Sequence, residues 1–130
     1  MTDFDREAHY RRYISYLNDR RVDDLQEFVN EELTYNGEPM SRIEYQNLIA
    51  RNIAAVPDLY FGILVLVSSG DHIACRLKFD CTPQSEFLGQ QPNGRSISFS
   101  EHVFYRFHDN KICEVWSLLD WPAIMGQMAF

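Results

Sequence analysis

The sequence predicts an α+β fold, with helices first and a meander of long antiparallel strands after them. Three observations carry that expectation. Apolar residues recur at helical spacing before Pro57. From Tyr60 to Leu119 the apolar period is two. The strand-like runs are separated by turn formers, Ser69-Gly70-Asp71 and His108-Asp109-Asn110.

Residues 4–18 read as a helix, because Tyr10, Tyr13, Ile14 and Leu17 fall at i, i+3, i+4 and i+7 on one face, with Asp3 as N-cap. A second short helix is expected over residues 24–29, burying Leu25, Phe28 and Val29. Residues 33–36 are short and extended, closed by Asn36-Gly37. Ser41 with Glu44 three positions on forms a capping box. The helix after it buries Tyr45, Leu48, Ile49 and Ile53, reaches Val56 and is stopped by Pro57. Residues 60–68 carry apolar side chains on both faces, which predicts a strand covered on both sides. Residues 72–82 alternate: Ile73, Cys75, Leu77, Phe79 and Cys81 face one way, Ala74, Arg76, Lys78 and Asp80 the other. Residues 83–94 form a loop. Residues 96–108 and 111–119 pair across a three-residue turn in which Asn110 takes the left-handed conformation. Residues 122–128 close the chain as a helical turn or two. Helices on one face of a curved sheet leave a cone with a pocket between the layers. No repeat, low-complexity segment or linker interrupts residues 1–130, which read as a single domain.

The 130 residues are 45% hydrophobic, enough for a core without disulfide or metal staples. Seven Tyr and nine Phe exceed what such a core needs, so some are expected to line a cavity. A formal net charge of -7 and the lack of a Lys/Arg cluster argue against nucleic acid or anionic lipid as a partner. The longest apolar run, residues 63–67, is too short to span a bilayer. The first five residues lack a basic segment and an apolar segment, so no signal peptide is expected. The odd set Cys75, Cys81 and Cys113 then implies reduced thiols and a cytoplasmic location.

Two stretches carry a resemblance. One is the Phe-x-Gly-x-x-Pro-x-Gly-Arg loop at residues 87–95. The other is the Lys-Ile-x-Glu-x-Trp-x-x-x-Asp run at residues 111–120, with Gln127-Met128 near the end. With the helical first half in order, the chain resembles the SnoaL-like polyketide cyclase branch, ester cyclases included, of the nuclear transport factor 2-like superfamily. The resemblance implies a cone-shaped α+β domain, often a homodimer through the outer sheet face. It also implies a pocket carboxylate acting as acid/base in an intramolecular aldol cyclisation, with no metal and no cofactor. Aligned on Lys111-Ile112 and Asp120, the acid/base carboxylate of the cyclases falls at Ser117. Their two pocket histidines fall at Val103 and Val115, a glutamine at Glu101 and an asparagine at Tyr35. The cyclase constellation is not reproduced, and one polar position has gained a carboxylate. Because the fold hosts cyclases, isomerases, hydrolases, binders and dimerisation modules, fold alone does not assign an activity.

The residues themselves suggest where chemistry would sit. If Phe107 lies opposite Lys111, then Tyr105 meets Cys113, Val103 meets Val115 and Glu101 meets Ser117, on one face with Phe99 and Ile97. Glu101 is then a lone carboxylate on an apolar and aromatic wall. Desolvation there raises its pKa toward neutrality, which suits proton transfer. Face reversal remains open; it would bring His102, Glu114 and Trp116 into the pocket instead. Asp120 is the second catalytic candidate, at a pocket mouth, and equally reads as the cap of the last helix. Tyr13, Tyr35, Tyr45, Tyr60 and Tyr105 are candidates to orient a carbonyl or enol oxygen. Tyr35, Tyr45, Phe99, Val103, Tyr105, Val115 and Ser117 form the expected binding set. Arg106 and Glu114 are placed to pair as diagonal neighbours. His9, His72, His102 and His108 show no metal-ligand spacing. The leading expectation is a small cofactor-free cyclase or isomerase acting on a hydrophobic, oxygenated, polyketide-like metabolite. A non-catalytic binder of a small apolar ligand and a homodimeric scaffold module remain the alternatives. In the last of these, the outer face would carry His102, Phe104 and Trp116 into a partner.

Overall fold

A computed structural model describes residues 4–129. In chain order these form α1 (Arg6–Asn18), a 3-10 helix (Val22–Glu27), β1 (Val29–Tyr35), β2 (Glu38–Ser41) and α2 (Arg42–Ala55). Then follow β3 (Gly62–Ser69), β4 (His72–Cys81), β5 (Ile97–His108), β6 (Lys111–Leu119) and α3 (Trp121–Met128). The strands make one sheet in the order β2-β1-β6-β5-β4-β3. The helices pack against one face of it. The expected α+β cone is therefore observed.

Local chemistry sets the helix ends. The Asp5 carboxylate caps α1 by accepting from Ala8 N–H. The expected cap, Asp3, lies outside the described residues, and the helix starts later than its periodicity suggested. Ser41 and Glu44 satisfy each other's backbone N–H groups in a full capping box. Asp120 caps α3, whose first turn holds Pro122, a residue with no N–H to lose there. The short second helix is 3-10 and ends before Phe28; Val29 already begins β1, because its backbone follows the extended path beside β6.

Two strands differ from the sequence expectation. Residues 38–41 are β2, pairing with β1 across Asn36-Gly37, both with positive φ. Strand β3 is not covered on both sides: it is the sheet edge, and Leu64, Val65 and Val67 are each at least half exposed. Apolar residues on both faces of a strand signal cover on both faces only when the partner surface exists, and here the outer face of β3 meets none. The antiparallel meander holds from β3 through β6, whereas β1 runs parallel to β6, which makes the sheet mixed.

The β5–β6 register also departs from the expected one. Asp109 and Asn110 both have positive φ, so the turn has two residues and His108 pairs with Lys111. A bulge then leaves Cys113 unpaired, so that Arg106 meets Glu114, Val103 meets Ser117 and Glu101 meets Leu119. Relative to the sequence expectation the pairing is displaced by one residue at Phe107 and, beyond the bulge, by two. Beyond the bulge that even displacement leaves Glu101, Val103, Tyr105, Val115 and Ser117 on their assigned face, whereas before it Ile112, not Lys111, is the buried partner of Phe107.

The core lies between the helices and the inner face of the sheet. Tyr10, Tyr13, Leu25, Phe28, Ile73, Leu77, Ile112 and Val115 are fully buried within it. Each large side chain so buried contributes about 1.5–3 kcal/mol. Among the described residues no helix is long and apolar enough to cross a membrane.

Candidate active site

Between α1, α2 and the inner sheet face lies a cavity of about 160 Å³. Period-two geometry places alternate residues of β5 in its wall: Phe99, Glu101, Val103 and Tyr105. Val115 joins them from β6, Tyr35 from β1, Tyr45 from α2 and Tyr13 from α1. All of the expected binding set except Ser117 thus line one space, and Ser117 lies next to it.

Glu101 is the single charged side chain among the described lining residues. The Ser117 hydroxyl donates to Glu101 Oε2 at 2.5 Å, a diagonal contact across the pair Val103 and Ser117. Ser117 is itself positioned: its N–H donates at 2.7 Å to Oδ1 of Asn36, which sits in the left-handed region at the β1–β2 turn. Burial among hydrocarbon and aromatic rings pushes the Glu101 carboxyl above the ordinary range, and the Ser117 hydrogen bond partly opposes that rise.

Around the carboxyl group stands a phenol cluster. The Tyr13 and Tyr45 hydroxyls are 2.6 Å apart, and Tyr10 donates to the Tyr105 hydroxyl at 3.2 Å. Burial raises the pKa of Tyr13, Tyr45 and Tyr105 well above that of a free phenol, so all are neutral donors at pH 7. Tyr35 is also raised by burial, its phenol beside Ser117. Toward the N-terminal end of β5 the wall is phenylalanine. Phe79 and Phe99 are stacked with centroids 5.1 Å apart and planes at 27°, and Phe61 and Phe87 pack on them edgewise and tilted. Phe87 is held by a tight turn in which it and Gln90 exchange two 2.9 Å backbone hydrogen bonds, with Leu88 and Gly89 at positive φ. The rest of that loop is tied to the C-terminal segment. Asn93 donates to the Gln127 and Ala129 carbonyls, and Gln127 exchanges 2.7 Å bonds with both backbone groups of Ser98.

Other candidates lie elsewhere. Asp120 does not line the cavity, and its Oδ1 accepts from Ala123 N–H at 3.2 Å as the α3 cap. Tyr60 is solvent-exposed in the segment before β3, so it cannot orient a ligand in this cavity. His102, Glu114 and Trp116 point outward, which resolves the face ambiguity. Arg106 Nε donates to Glu114 Oε2 at 3.1 Å as a directly opposed rather than diagonal pair. Trp116 Nε1 donates to the other Glu114 oxygen at 2.6 Å, and these two bonds lower the Glu114 pKa. Cys75, Cys81 and Cys113 are free thiols, and burial pushes Cys81 up to about 11. Among the described residues, no three His, Cys, Asp or Glu side chains converge as a metal site.

Sequence reasoning missed the lining residues Leu48, Asn52, Phe61, Phe87, Leu88 and Leu119 as site members, and the Asn36 clasp on Ser117. The Gly/Pro/Asn loop was the available signal for Phe87 and Leu88, since such a loop beside a strand end folds back over the sheet. Asn36 was visible only as a turn former.

A family model described as SnoaL-like polyketide cyclase matches residues 7–128. Among solved structures, a SnoaL-like polyketide cyclase from Agrobacterium tumefaciens is 39% identical, with a TM-score of 0.91 over 98% of this chain and 100% of that one. TsrD from Streptomyces laurentii is 19% identical, with a TM-score of 0.88 over 98% of each chain. AclR from Streptomyces galilaeus, for which a hydroxylase activity has been suggested, is 22% identical, with a TM-score of 0.79 over 95% and 94%. The last two share the fold. Among curated proteins none matches the chain.

Proposed function

The chain belongs to the SnoaL-like polyketide cyclase family, and from that premise we propose that it is an acid/base cyclase or isomerase acting on a small hydrophobic carbonyl compound, with Glu101 as base. One observation carries the proposal: a single carboxyl group, held by one hydroxyl, faces a cavity whose other lining side chains are apolar or phenolic apart from the Asn52 amide. The family's acid/base position on β6 is occupied here by Ser117, and the carboxylate stands across the strand pair on β5. The two positions share one hydrogen bond, so the proton-handling atom is displaced by one strand and stays within the same cavity.

The Glu101 carboxylate takes a proton from the carbon beside the carbonyl. The C–H electron pair becomes the enolate double bond, and the carbonyl oxygen gains the negative charge and accepts a hydrogen bond from a Tyr45 or Tyr13 phenol. Isomerisation follows when the Glu101 acid returns the proton to a different carbon. Cyclisation follows when the enolate carbon bonds to a second carbonyl carbon and the proton goes to the new alkoxide. Every proton and electron pair is then accounted for by one carboxyl group, and this sequence calls on no cofactor.

The outer sheet face supports a homodimer as the working form. Val65, Arg76, His102 and Leu118 form one row across four strands, and Val67, Ala74, Phe104 and Trp116 form the next. Leu118 is 68% exposed and Phe104 56%, and with Val65, Val67 and Trp116 they make an exposed apolar surface, interrupted by Arg76 and His102, of the kind that marks association surfaces.

The test uses cyclohex-3-enone, whose conversion to the conjugated isomer is read by ultraviolet absorbance. Wild-type protein is expected to accelerate it, and Glu101→Gln to lower that rate about a hundredfold or more. Equal rates in the two proteins overturn the assignment.

A further inference from the structure

We propose that the natural ligand presents a neutral, single-ring ketone to this cavity, its ring on the Phe79–Phe99 wall and its carbonyl at the Tyr13–Tyr45 pair. The proposal rests on the acid/base reading above and adds the class of substrate. Three observations support it.

The first is size. The cavity, which opens to solvent at one side, offers about 160 Å³. An apolar cavity of about 150 Å³ holds one benzene-sized molecule, and sites for drug-sized, multi-ring ligands begin near 300 Å³. The second is spacing. Phe99 and Glu101 are two residues apart on the same face of β5, roughly 7 Å along the strand. That is the span of one six-membered ring with its substituent, so a ring seated on the phenylalanine wall delivers its adjacent carbon to the carboxyl group. The third is charge. Among the described lining residues there is no Lys, Arg or His, and the one ionisable carboxyl group would repel a second. A carboxylate or phosphate on the bound portion would be desolvated with no cation to meet it. Neutral phenols, by contrast, supply donors suited to a ketone oxygen.

Calorimetric titration with three probes tests this: acetophenone (one ring, neutral), benzoate (one ring, anionic) and 9-fluorenone (three fused rings, neutral). Wild-type protein is expected to bind acetophenone saturably, and each of the other two at least tenfold more weakly. The variant Glu101→Gln keeps the cavity's size and removes its charge. It should leave acetophenone affinity within about twofold while narrowing the disadvantage of benzoate. Fluorenone binding as tightly as acetophenone, benzoate matching acetophenone in wild type, or no acetophenone binding at all would each overturn the ligand class. These outcomes are separable from failure of the acid/base reading. That reading falls if wild type and Glu101→Gln isomerise cyclohex-3-enone equally, whatever the order of affinities.

Discussion

Strand β5 presents two unlike surfaces from one backbone. Inward it places Phe99, Glu101, Val103 and Tyr105 against helices and the cavity; outward it places His102, Phe104 and Arg106 in the open. Both sides are rich in apolar atoms, and each has a carboxylate at hand: Glu101 within, Glu114 of β6 without. The environments drive these two acids apart. Glu101 has one hydroxyl and apolar walls, and its pKa rises. Glu114 accepts from the Trp116 indole and from the Arg106 guanidinium in the open, and its pKa falls. The lesson is that an acid near a pocket qualifies as a proton carrier through what it lacks. Glu114 has more partners than Glu101 and is the less suited to proton transfer at pH 7.

Substitutions on the two faces should therefore fail in different assays. The largest effect is expected from Glu101→Gln: loss of about a hundredfold or more in isomerisation rate with size in solution unchanged, whereas Glu114→Gln should leave the rate within about twofold. A matching loss in both variants would erase the distinction between the faces. Next is Phe104→Glu, which puts a charge into the outer patch. Sedimentation should show a shift from dimer to monomer, with acetophenone affinity retained; a wild-type protein that is already monomeric at micromolar concentration would remove the dimer proposal.

Ser117→Ala comes third. Removing a hydrogen bond to a charged group costs about 1.5–3 kcal/mol, so the acid limb of the pH–rate profile should move to higher pH by roughly one unit or more. An unmoved limb would mean that Glu101 is not the titrating group. The smallest effect is on stability. The Glu101 carboxyl has a native pKa above its unfolded value, so the native state binds the proton more tightly. Wild-type stability should therefore fall, relative to Glu101→Gln, as pH rises from the unfolded value near about 4.3 through the native pKa. Below that window the two proteins should differ least, and denaturant titrations across pH would show whether the gap opens in this direction.

Much of this was legible from residues alone, for reasons that can be stated. The capping box at Ser41 and Glu44 and the alternation of β4 are local signals, and both appear as read. The inward face of Glu101 was legible because parity survives an even displacement, even though the bulge at Cys113 was not foreseen. Strand β3 was misjudged because exposure of Leu64, Val65 and Val67 depends on a neighbour the sequence cannot display. Phe61 and Phe87 reach the cavity through chain segments that return from outside the sheet, and no periodicity encodes that return.

Strand β5 is hydrogen-bonded on both sides along the stretch that carries Glu101, while the loop bearing Phe87 and Leu88 is fastened mainly at its ends. The amides around Glu101 should thus be among the last to exchange with deuterated solvent, and those of Leu88, Gly89 and Gln91 among the first. Entry of a ligand and transfer of a proton then belong to separate clocks: the wall opens on the fast time of a loop, and the base keeps its aim for as long as the protein stays folded.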